Sequence, residues 1–181
     1  MLSWLHHIGV EQMAIKEPTG YIIYDGPSQI DGERIVAVAL TGKSRNGKTG
    51  GMLQTYILRA DIDPREASKT GEDFSICGSC PHRGNPTNNP DKKQATERTC
   101  YVVLGQGPLI VYKGLVAGRY PHRTQILPIV ALGSGRKVRL GTYGDPAAVP
   151  SYVWDEHSCK RDEAEDDGEK ERRDGSASSR S

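Results

Sequence analysis

The sequence has no apolar run approaching the roughly 20 consecutive apolar residues that a membrane-spanning helix needs. Its start, Met1 to His7, also lacks the basic flank and the long apolar core of a signal peptide. These absences predict a cytoplasmic protein with no membrane partner. Cysteine is scarce as well, with four in 181 residues. In a reducing compartment we expect these cysteines to be thiols or metal ligands rather than structural disulfides.

Apolar residues are nearly absent from the end of the chain. Between Lys160 and Ser181 only Ala164 and Ala177 are apolar, so this segment cannot bury enough surface to offset the entropy of ordering. The rest of the chain is ordinary for a folded protein, since 35% of all residues are hydrophobic. We therefore predict one domain over residues 1–158 and a charged, disordered tail over 159–181.

Acidic residues are rare in the middle of the chain. Residues 92–139 carry nine basic side chains and one acidic one, a net charge of +8, whereas residues 1–91 carry nine and eleven. Tyrosines 101, 112 and 120 are interleaved with these cations, an arrangement suited to nucleic acid because cations meet phosphates while rings stack on bases. The alternative is a solvated basic face with tyrosines in the core. The candidate nucleic-acid contacts are Lys113, Arg119, Arg123, Arg136, Lys137 and Arg139.

Residues 42–49, G-K-S-R-N-G-K-T, match the phosphate-binding loop pattern G-x-x-x-x-G-K-[ST]. Such a loop works by ending at the N-terminus of a helix, whose free N–H groups hold the phosphates. Here Gly50 and Gly51 follow, and the next run, 52–60, has the β-branched and aromatic residues of a strand. The pattern therefore predicts a β-hairpin turn and disfavours a nucleotide hydrolase.

The hydrophobic pattern predicts more strands than helices, and hence an α/β or α+β fold built mainly of strands with few helices. Asp63, Pro64 and Glu66 form a helix start with a cap and a first-turn proline, and Gly71 marks its end. The run 34–40 has no polar alternation, which is typical of a strand buried on both faces. The other predicted elements are strands at 21–24, 52–60, 100–104, 126–132 and 137–143 and a helix at 108–116.

The stretch S-I-C-G-S-C-P-H-R-G, residues 75–84, places Cys77 and Cys80 at the spacing of a metal-binding knuckle. Cys100 follows after a loop and is the only cysteine near enough in sequence to form a second ligand group. A closed zinc site needs a fourth ligand, for which His82, His122, His157 and Cys159 are the options. Alternatively, three thiolates hold an open zinc or an iron–sulfur cluster with one exposed iron. A third interpretation is three buried cysteines without metal.

Asp145 is a candidate catalytic residue, because it follows a predicted strand at the position where α/β folds place functional groups. The sequence Gly144-Asp145-Pro146 is also typical of a turn, and we favour the turn.

Five short motifs carry a resemblance, namely K-T-G (48–50), Q-T-Y-I-L-R-A-D (54–61), I-C-G-S-C-P-H-R (76–83), C-Y-V (100–102) and R-L-G-T-Y-G-D-P (139–146). Across residues 20–154 the chain resembles a family of uncharacterised proteins carried by phages, plasmids and other mobile elements. More distantly it is similar to phage proteins of the radical-SAM type, although its cysteines do not have the C-x-x-x-C-x-x-C spacing of radical-SAM enzymes.

The resemblance implies that the cysteine trio and the Gly-Asp step are family features, and that the sheet is βα-barrel-like. Relatives continue beyond the position of Trp154, so we expect an incomplete barrel here. The expected function is that of a mobile-element protein with a zinc site at Cys77, Cys80, Cys100 and His82, associated with nucleic acid. The alternative is a metal-dependent enzyme, or the remnant of one, with an iron–sulfur cluster or an open zinc and Asp145 near the substrate.

Overall fold

The computed structural model of the chain describes residues 17–42, 47–123, 129–133 and 135–154. Within these ranges four strands form one sheet in the order β1-β2-β3-β4. The first three strands are antiparallel neighbours, and β4 lies parallel to β3. The predicted fold, a mainly stranded α/β protein with few helices, is confirmed. The strands are β1 (Gly20–Pro27), β2 (Arg34–Leu40), β3 (Leu53–Arg59) and β4 (Val138–Tyr143).

The helices of the described ranges are short, and none is long and apolar enough to cross a membrane. The first begins as predicted, because the Asp63 carboxylate accepts from the Arg65 N–H at 2.8 Å and Gly71 ends it with a φ of 88°. The helices are α1 (Pro64–Thr70), α2 (Phe74–Cys77), α3 (Gly107–Val116) and α4 (Ile129–Leu132), and two 3₁₀ turns follow β4, at Pro146–Ala148 and Ser151–Val153.

The core is centred on β2, in which every residue from Ile35 to Ala39 is buried. This explains the unbroken apolar run, since a central strand covered on both faces needs no polar alternation. Helices α1, α2 and α3 all pack on β3, and α2 also reaches β2. The cysteine-bearing helix α2 thus rests directly on the two central strands.

The segment with the phosphate-loop pattern connects two antiparallel neighbours. Residues 43–46 lie outside the described ranges, and residues 47–51 form a turn that leads into β3. Strand β3 runs back along β2, with Leu40 opposite Gln54. The predicted hairpin is confirmed, and no helix begins after Lys48 to present N–H groups to a phosphate.

Two predicted strands are wrong where they can be checked. Residues 100–104 are irregular, because the Arg98 guanidinium donates to the carbonyl oxygens of Cys100 (3.1 Å) and Val102 (2.8 Å) that a neighbouring strand would otherwise occupy. Residues 129–132 form helix α4, since a short apolar run alone does not separate strand from helix. Residues 126–128 lie outside the described ranges.

The pairing of β3 with β4 breaks register between Gln54 and Tyr56. There the buried Thr55 hydroxyl donates to the Arg139 carbonyl oxygen (3.2 Å) and accepts from the Gly141 N–H (2.9 Å). Gly141 has a φ of 61°, and a Cβ at this position would lie 2.6 Å from the Gly144 carbonyl oxygen. The glycine therefore allows the end of β4 to fold tightly towards α2.

Candidate metal centre

Cys77 and Cys80 lie on a tight turn at the end of α2. The helix ends at Gly78, which has a φ of 54°, and the Cys80 N–H then donates to the Cys77 carbonyl oxygen at 3.2 Å. The next turn follows at once, with the Arg83 N–H donating to the Cys80 carbonyl oxygen at 3.3 Å. Cys80 is exposed and Cys77 is half-buried. This succession of turns is the backbone geometry that a two-cysteine knuckle requires.

Cys100 is brought to the same turn by main-chain hydrogen bonds. Its N–H donates to the His82 carbonyl oxygen at 3.0 Å, and Asn85 and Thr96 exchange two further N–H···O bonds of 2.8 and 2.9 Å. At Gly84, where φ is 81°, a Cβ would lie 2.3 Å from the Thr96 carbonyl oxygen. The 81–99 loop therefore folds back on itself, and it does so through its own backbone pairing.

The end of β4 completes this region of the molecule. The Asp145 N–H donates to the carbonyl oxygen of Ile76, the residue before Cys77, at 2.6 Å. Tyr143, the last residue of β4, is 3% exposed, and its hydroxyl has no hydrogen-bond partner among the described residues. Three motifs that are far apart in the sequence, I-C-G-S-C-P-H-R, C-Y-V and R-L-G-T-Y-G-D-P, thus meet in one place.

Burial controls the protonation of the Cys77 thiol at the end of α2. Burial raises the pKa of the Cys77 thiol to about 12, with smaller contributions in the same direction from Asp73, Cys80 and Cys100. Burial also raises the pKa of Tyr143 well above its usual range, and Cys77, Asp73 and Cys100 add to that effect. Cys77 is therefore a neutral thiol at neutral pH unless a metal displaces its proton.

Arg83 links the segments around the knuckle. Its Nε donates to Asp73 Oδ1 at 3.0 Å, and its Nη atoms donate to the carbonyl oxygens of Gly78 (3.0 Å) and Gly71 (2.8 Å). The guanidinium also lies over the Phe74 ring, 5.3 Å from its centroid. Despite this pairing the pKa of Asp73 is raised, because burial of the carboxylate outweighs the effect of Arg83.

In the described part of the chain, no three His, Cys, Asp or Glu side chains are arranged to hold a metal ion as they stand. His82 is exposed, and its Nδ1 lies 2.9 Å from Thr99 Oγ1. With the proton on Nδ1, the lone pair of Nε2 is available to a metal, which is the usual arrangement of a ligating histidine. His122 instead bridges to Ile22 in β1, at the opposite edge of the sheet from β4. His157 and Cys159 lie outside the described ranges.

Asp145 acts as a cap. Its Oδ1 accepts from the Ala147 N–H at 2.9 Å and so begins the first 3₁₀ turn. The turn that the Gly-Asp-Pro sequence favours is present. The Asp145 carboxylate is exposed and stabilises the 3₁₀ turn as its cap. The catalytic role of Asp145 stays a prediction.

The basic residues of the +8 segment do not form one continuous surface. Arg136 is half-buried, and its guanidinium donates to the carbonyl oxygens of Gly133 (2.9 Å) and Thr41 (2.7 Å). Arg123 is half-buried beside β1, where its N–H donates to the Ile22 carbonyl oxygen at 3.0 Å. Because β1 and β4 are the two edges of a four-stranded sheet, roughly 14 Å separates them. Lys113, on α3, and Arg119, just after it, are exposed.

Tyr101 is the exposed tyrosine of the predicted nucleic-acid surface, and it lies beside the half-buried Arg139. Tyr101 is 75% exposed, and the Arg139 guanidinium lies 5.9 Å from its ring centroid and donates to its hydroxyl at 2.9 Å. Tyr120, by contrast, is 8% exposed and belongs to the core. The interpretation as a core tyrosine is thus correct for Tyr120, whereas Tyr101 is available at the surface.

A separate cleft was not foreseen from the sequence. It has a volume of about 370 Å³, an apolar floor that includes Ile22 and Val36, and a polar rim of Asp25, Arg34 and His122. Arg34 Nε and Nη2 donate to the two oxygens of Asp25 at 2.8 and 2.9 Å, and this hydrogen-bonded partner lowers the pKa of the Asp25 carboxyl. Only the pairing of β1 with β2 brings Asp25 and Arg34 together, so no local sequence signal marks the cleft.

Comparison with protein-family models, with curated proteins and with solved structures gave no significant match to the chain.

Proposed function

We propose that the chain is a mobile-element protein in which Cys77, Cys80 and Cys100 hold one metal centre. The observation that carries this proposal is the meeting of two separate segments at the end of α2. The Cys77–Cys80 turn and the Cys100 segment are joined by the hydrogen bond from Cys100 to His82, and the Cys77 thiol is influenced by both other thiols. Three of the four cysteines of the chain lie in these two segments.

The proposed metal is zinc, with His82 as the fourth ligand. Three thiolates and one imidazole form one of the closed ligand sets of structural zinc. Cys80 and His82 are exposed, so an ion can reach both side chains from solvent. An iron–sulfur cluster on the three cysteines is the alternative, and it would leave one position open for a substrate. When bound, zinc would supply a fixed cross-link between α2 and the 81–99 loop.

Metal analysis of protein purified without oxygen and without chelator tests this proposal. We expect about one equivalent of zinc, because structural sites of this kind are filled when the protein is folded. Replacing Cys77, Cys80 or Cys100 singly by serine should remove the metal. Cys159→Ser is the matched control and should retain it.

Each alternative has its own outcome in this experiment. If the purified protein is brown and contains iron and sulfide, the site holds an iron–sulfur cluster instead of zinc. That result would favour the alternative function, a metal-dependent enzyme. Less than about a tenth of an equivalent of either metal in the wild-type protein would overturn the proposed metal centre.

A second part of the proposed function is binding of single-stranded nucleic acid next to the metal centre. Tyr101 directly follows Cys100, is 75% exposed, and has the Arg139 guanidinium beside its ring. An exposed aromatic ring next to a cation can stack on a base while the cation meets the phosphate. Lys137, exposed just before β4, is two residues from Arg139 in the sequence and adds a second cation. Arg136 is left out of this surface because its guanidinium binds carbonyl oxygens of the fold.

Fluorescence anisotropy with a labelled oligothymidylate, measured over a range of salt concentrations, tests this part. Tyr101→Ala should weaken binding about tenfold, which corresponds to one stacked base. Replacing Lys137 and Arg139 together by alanine should reduce the salt slope by about two, since each phosphate contact releases counterions. Tyr152→Ala is the control, because Tyr152 is another exposed tyrosine but lies near Tyr24 of β1. If Tyr101→Ala leaves the affinity unchanged, or if the wild type does not bind at low salt, the proposed binding is wrong. These cations would then be part of an ordinary solvated surface.

A further inference from the structure

Lys137 and Arg139 have no acidic partner among the described residues. The Arg139 guanidinium donates to the Tyr101 hydroxyl at 2.9 Å, and Lys137 is exposed. Strand β4, which carries Arg139 and follows Lys137, is the last strand in the order of the sheet, so the two positive charges lie at its edge. The ion pairs of the described ranges are formed by other cations, namely Arg34, Arg59, Arg65 and Arg83.

Trp154, the last of the described residues, lies beside the same strand. Its Nε1 donates to the Pro146 carbonyl oxygen at 3.0 Å. A Cβ at Gly141, within β4, would lie 2.8 Å from Pro146 Cδ, so Pro146 packs directly on the strand. Trp154 and Val138, which is the residue between the two cations, also pack against one buried cluster. Residues 155–181 therefore continue from a point next to the strand that carries the cations.

The acidic residues of 155–181 are concentrated in one block. Residues 162–167, D-E-A-E-D-D, carry five carboxylates in six positions and no cation. Seven residues separate this block from Trp154, and an extended chain of that length spans up to roughly 25 Å. Because the residues of a strand are about 3.3 Å apart, Gly141 lies only about 7 Å along β4 from Arg139. The acidic block is therefore within reach of both cations.

We propose that residues 162–167 bind Lys137 and Arg139 of the same chain and compete with nucleic acid for them. Opposite charge supplies the attraction, and the short tether raises the effective concentration of the block to the millimolar range. A block of five or six like charges is typical of an interaction tail. The competition rests on the proposed nucleic-acid function, whereas the contact itself rests on charge and on the length of the tether.

Cross-linking of the full chain with a carbodiimide tests the contact without nucleic acid. The reagent joins a carboxylate to an amine that touches it, so the monomeric product should contain residues 162–167 linked mainly to Lys137. Lys113 is the matched lysine, because it is also exposed but lies on α3, next to residues that line the cleft beside β1. About 1 M salt should abolish the link, since the Debye length is then about 3 Å. Equal linkage to both lysines, or no link at low salt, would overturn the inference.

Fluorescence anisotropy with the labelled oligothymidylate tests the competition. The variant for this measurement keeps the composition of residues 155–181 but distributes the five carboxylates of the block among the other residues, so that length and net charge are unchanged. If the block occupies the cations about nine-tenths of the time in the wild type, the variant should bind about tenfold more tightly at low salt. It should also lose the link to Lys137. Equal affinity of the two proteins would contradict the competition.

Failure of this inference and failure of the nucleic-acid function give different results. If neither protein binds oligothymidylate but the link to Lys137 forms, the nucleic-acid function is wrong and the contact is supported. If both proteins bind with equal affinity and no link forms, the contact is wrong and nucleic-acid binding is retained.

Discussion

Arg83 shows how a single side chain holds the cysteine turn in shape. Its guanidinium joins the buried Asp73 carboxylate, two main-chain carbonyl oxygens and the Phe74 ring. All three regions belong to the segment that begins at the end of α1 and contains α2. The knuckle therefore has a support that does not depend on metal, and the proposed metal would add to it.

Removing this guanidinium should destabilise the protein mainly through the partner that it leaves behind. We expect Arg83→Met to lower the free energy of unfolding by about 3 kcal/mol, because Asp73 would be buried without a counter-charge. Adding Asp73→Asn should recover part of this loss, since an amide is less costly to bury than a carboxylate. Urea denaturation of the two variants and of Asp73→Asn alone measures the coupling. Simple addition of the two single effects would contradict a direct partnership.

At the scale of elements, the β2–β3 hairpin decides what the phosphate-loop pattern means. The eight-residue pattern binds a nucleotide only when a helix follows it, whereas here an antiparallel strand follows. The two glycines at 50 and 51 explain this outcome, since they favour a turn over a helix start. The pattern in this protein is a hairpin sequence.

The hairpin makes a direct prediction about nucleotides. Lys48→Ala and the wild type should give the same result in calorimetric titrations with ATP or GTP and magnesium. Neither protein should show specific binding, because no helix N-terminus is present to hold the phosphates. Lys69→Ala, a lysine change on α1, controls for the loss of one positive charge. Micromolar, magnesium-dependent binding that disappears in Lys48→Ala but persists in Lys69→Ala would reinstate a nucleotide site.

For the whole molecule, the main result is the convergence of distant segments on the end of α2. The Cys77–Cys80 turn, the Cys100 segment and the end of β4 are joined by the hydrogen bonds from Cys100 to His82 and from Asp145 to Ile76. The chain reaches this arrangement because β4 pairs in parallel with β3, which returns it to the sheet beside β3 after a long connection. The same topology separates the basic residues, since it places Arg123 beside β1 and Arg139 on β4.

The sequence alone was sufficient for features that depend on local chemistry. The buried strand β2, the hairpin and the Asp63 cap of α1 follow from apolar runs, glycine and short-range hydrogen bonds, which neighbouring residues control. The Cys77–Cys80 turn and the turn at Gly144-Asp145-Pro146 were predictable for the same reason. The strand predicted at 100–104 failed because the Arg98 side chain, and no neighbouring strand, binds its carbonyl oxygens.

Tertiary structure decided the features that depend on residues far apart in the chain. The position of Tyr143 near α2 follows from the parallel pairing of β4, from the glycine at 141 that bends its end and from the hydrogen bond between Asp145 and Ile76. No local pattern distinguishes this buried tyrosine from the others. Likewise, the net charge of residues 92–139 could not reveal that Arg136 binds carbonyl oxygens while Arg139 lies at the surface beside Tyr101. Charge is a property of composition, whereas exposure and hydrogen-bond partners are set by the packing of the whole chain.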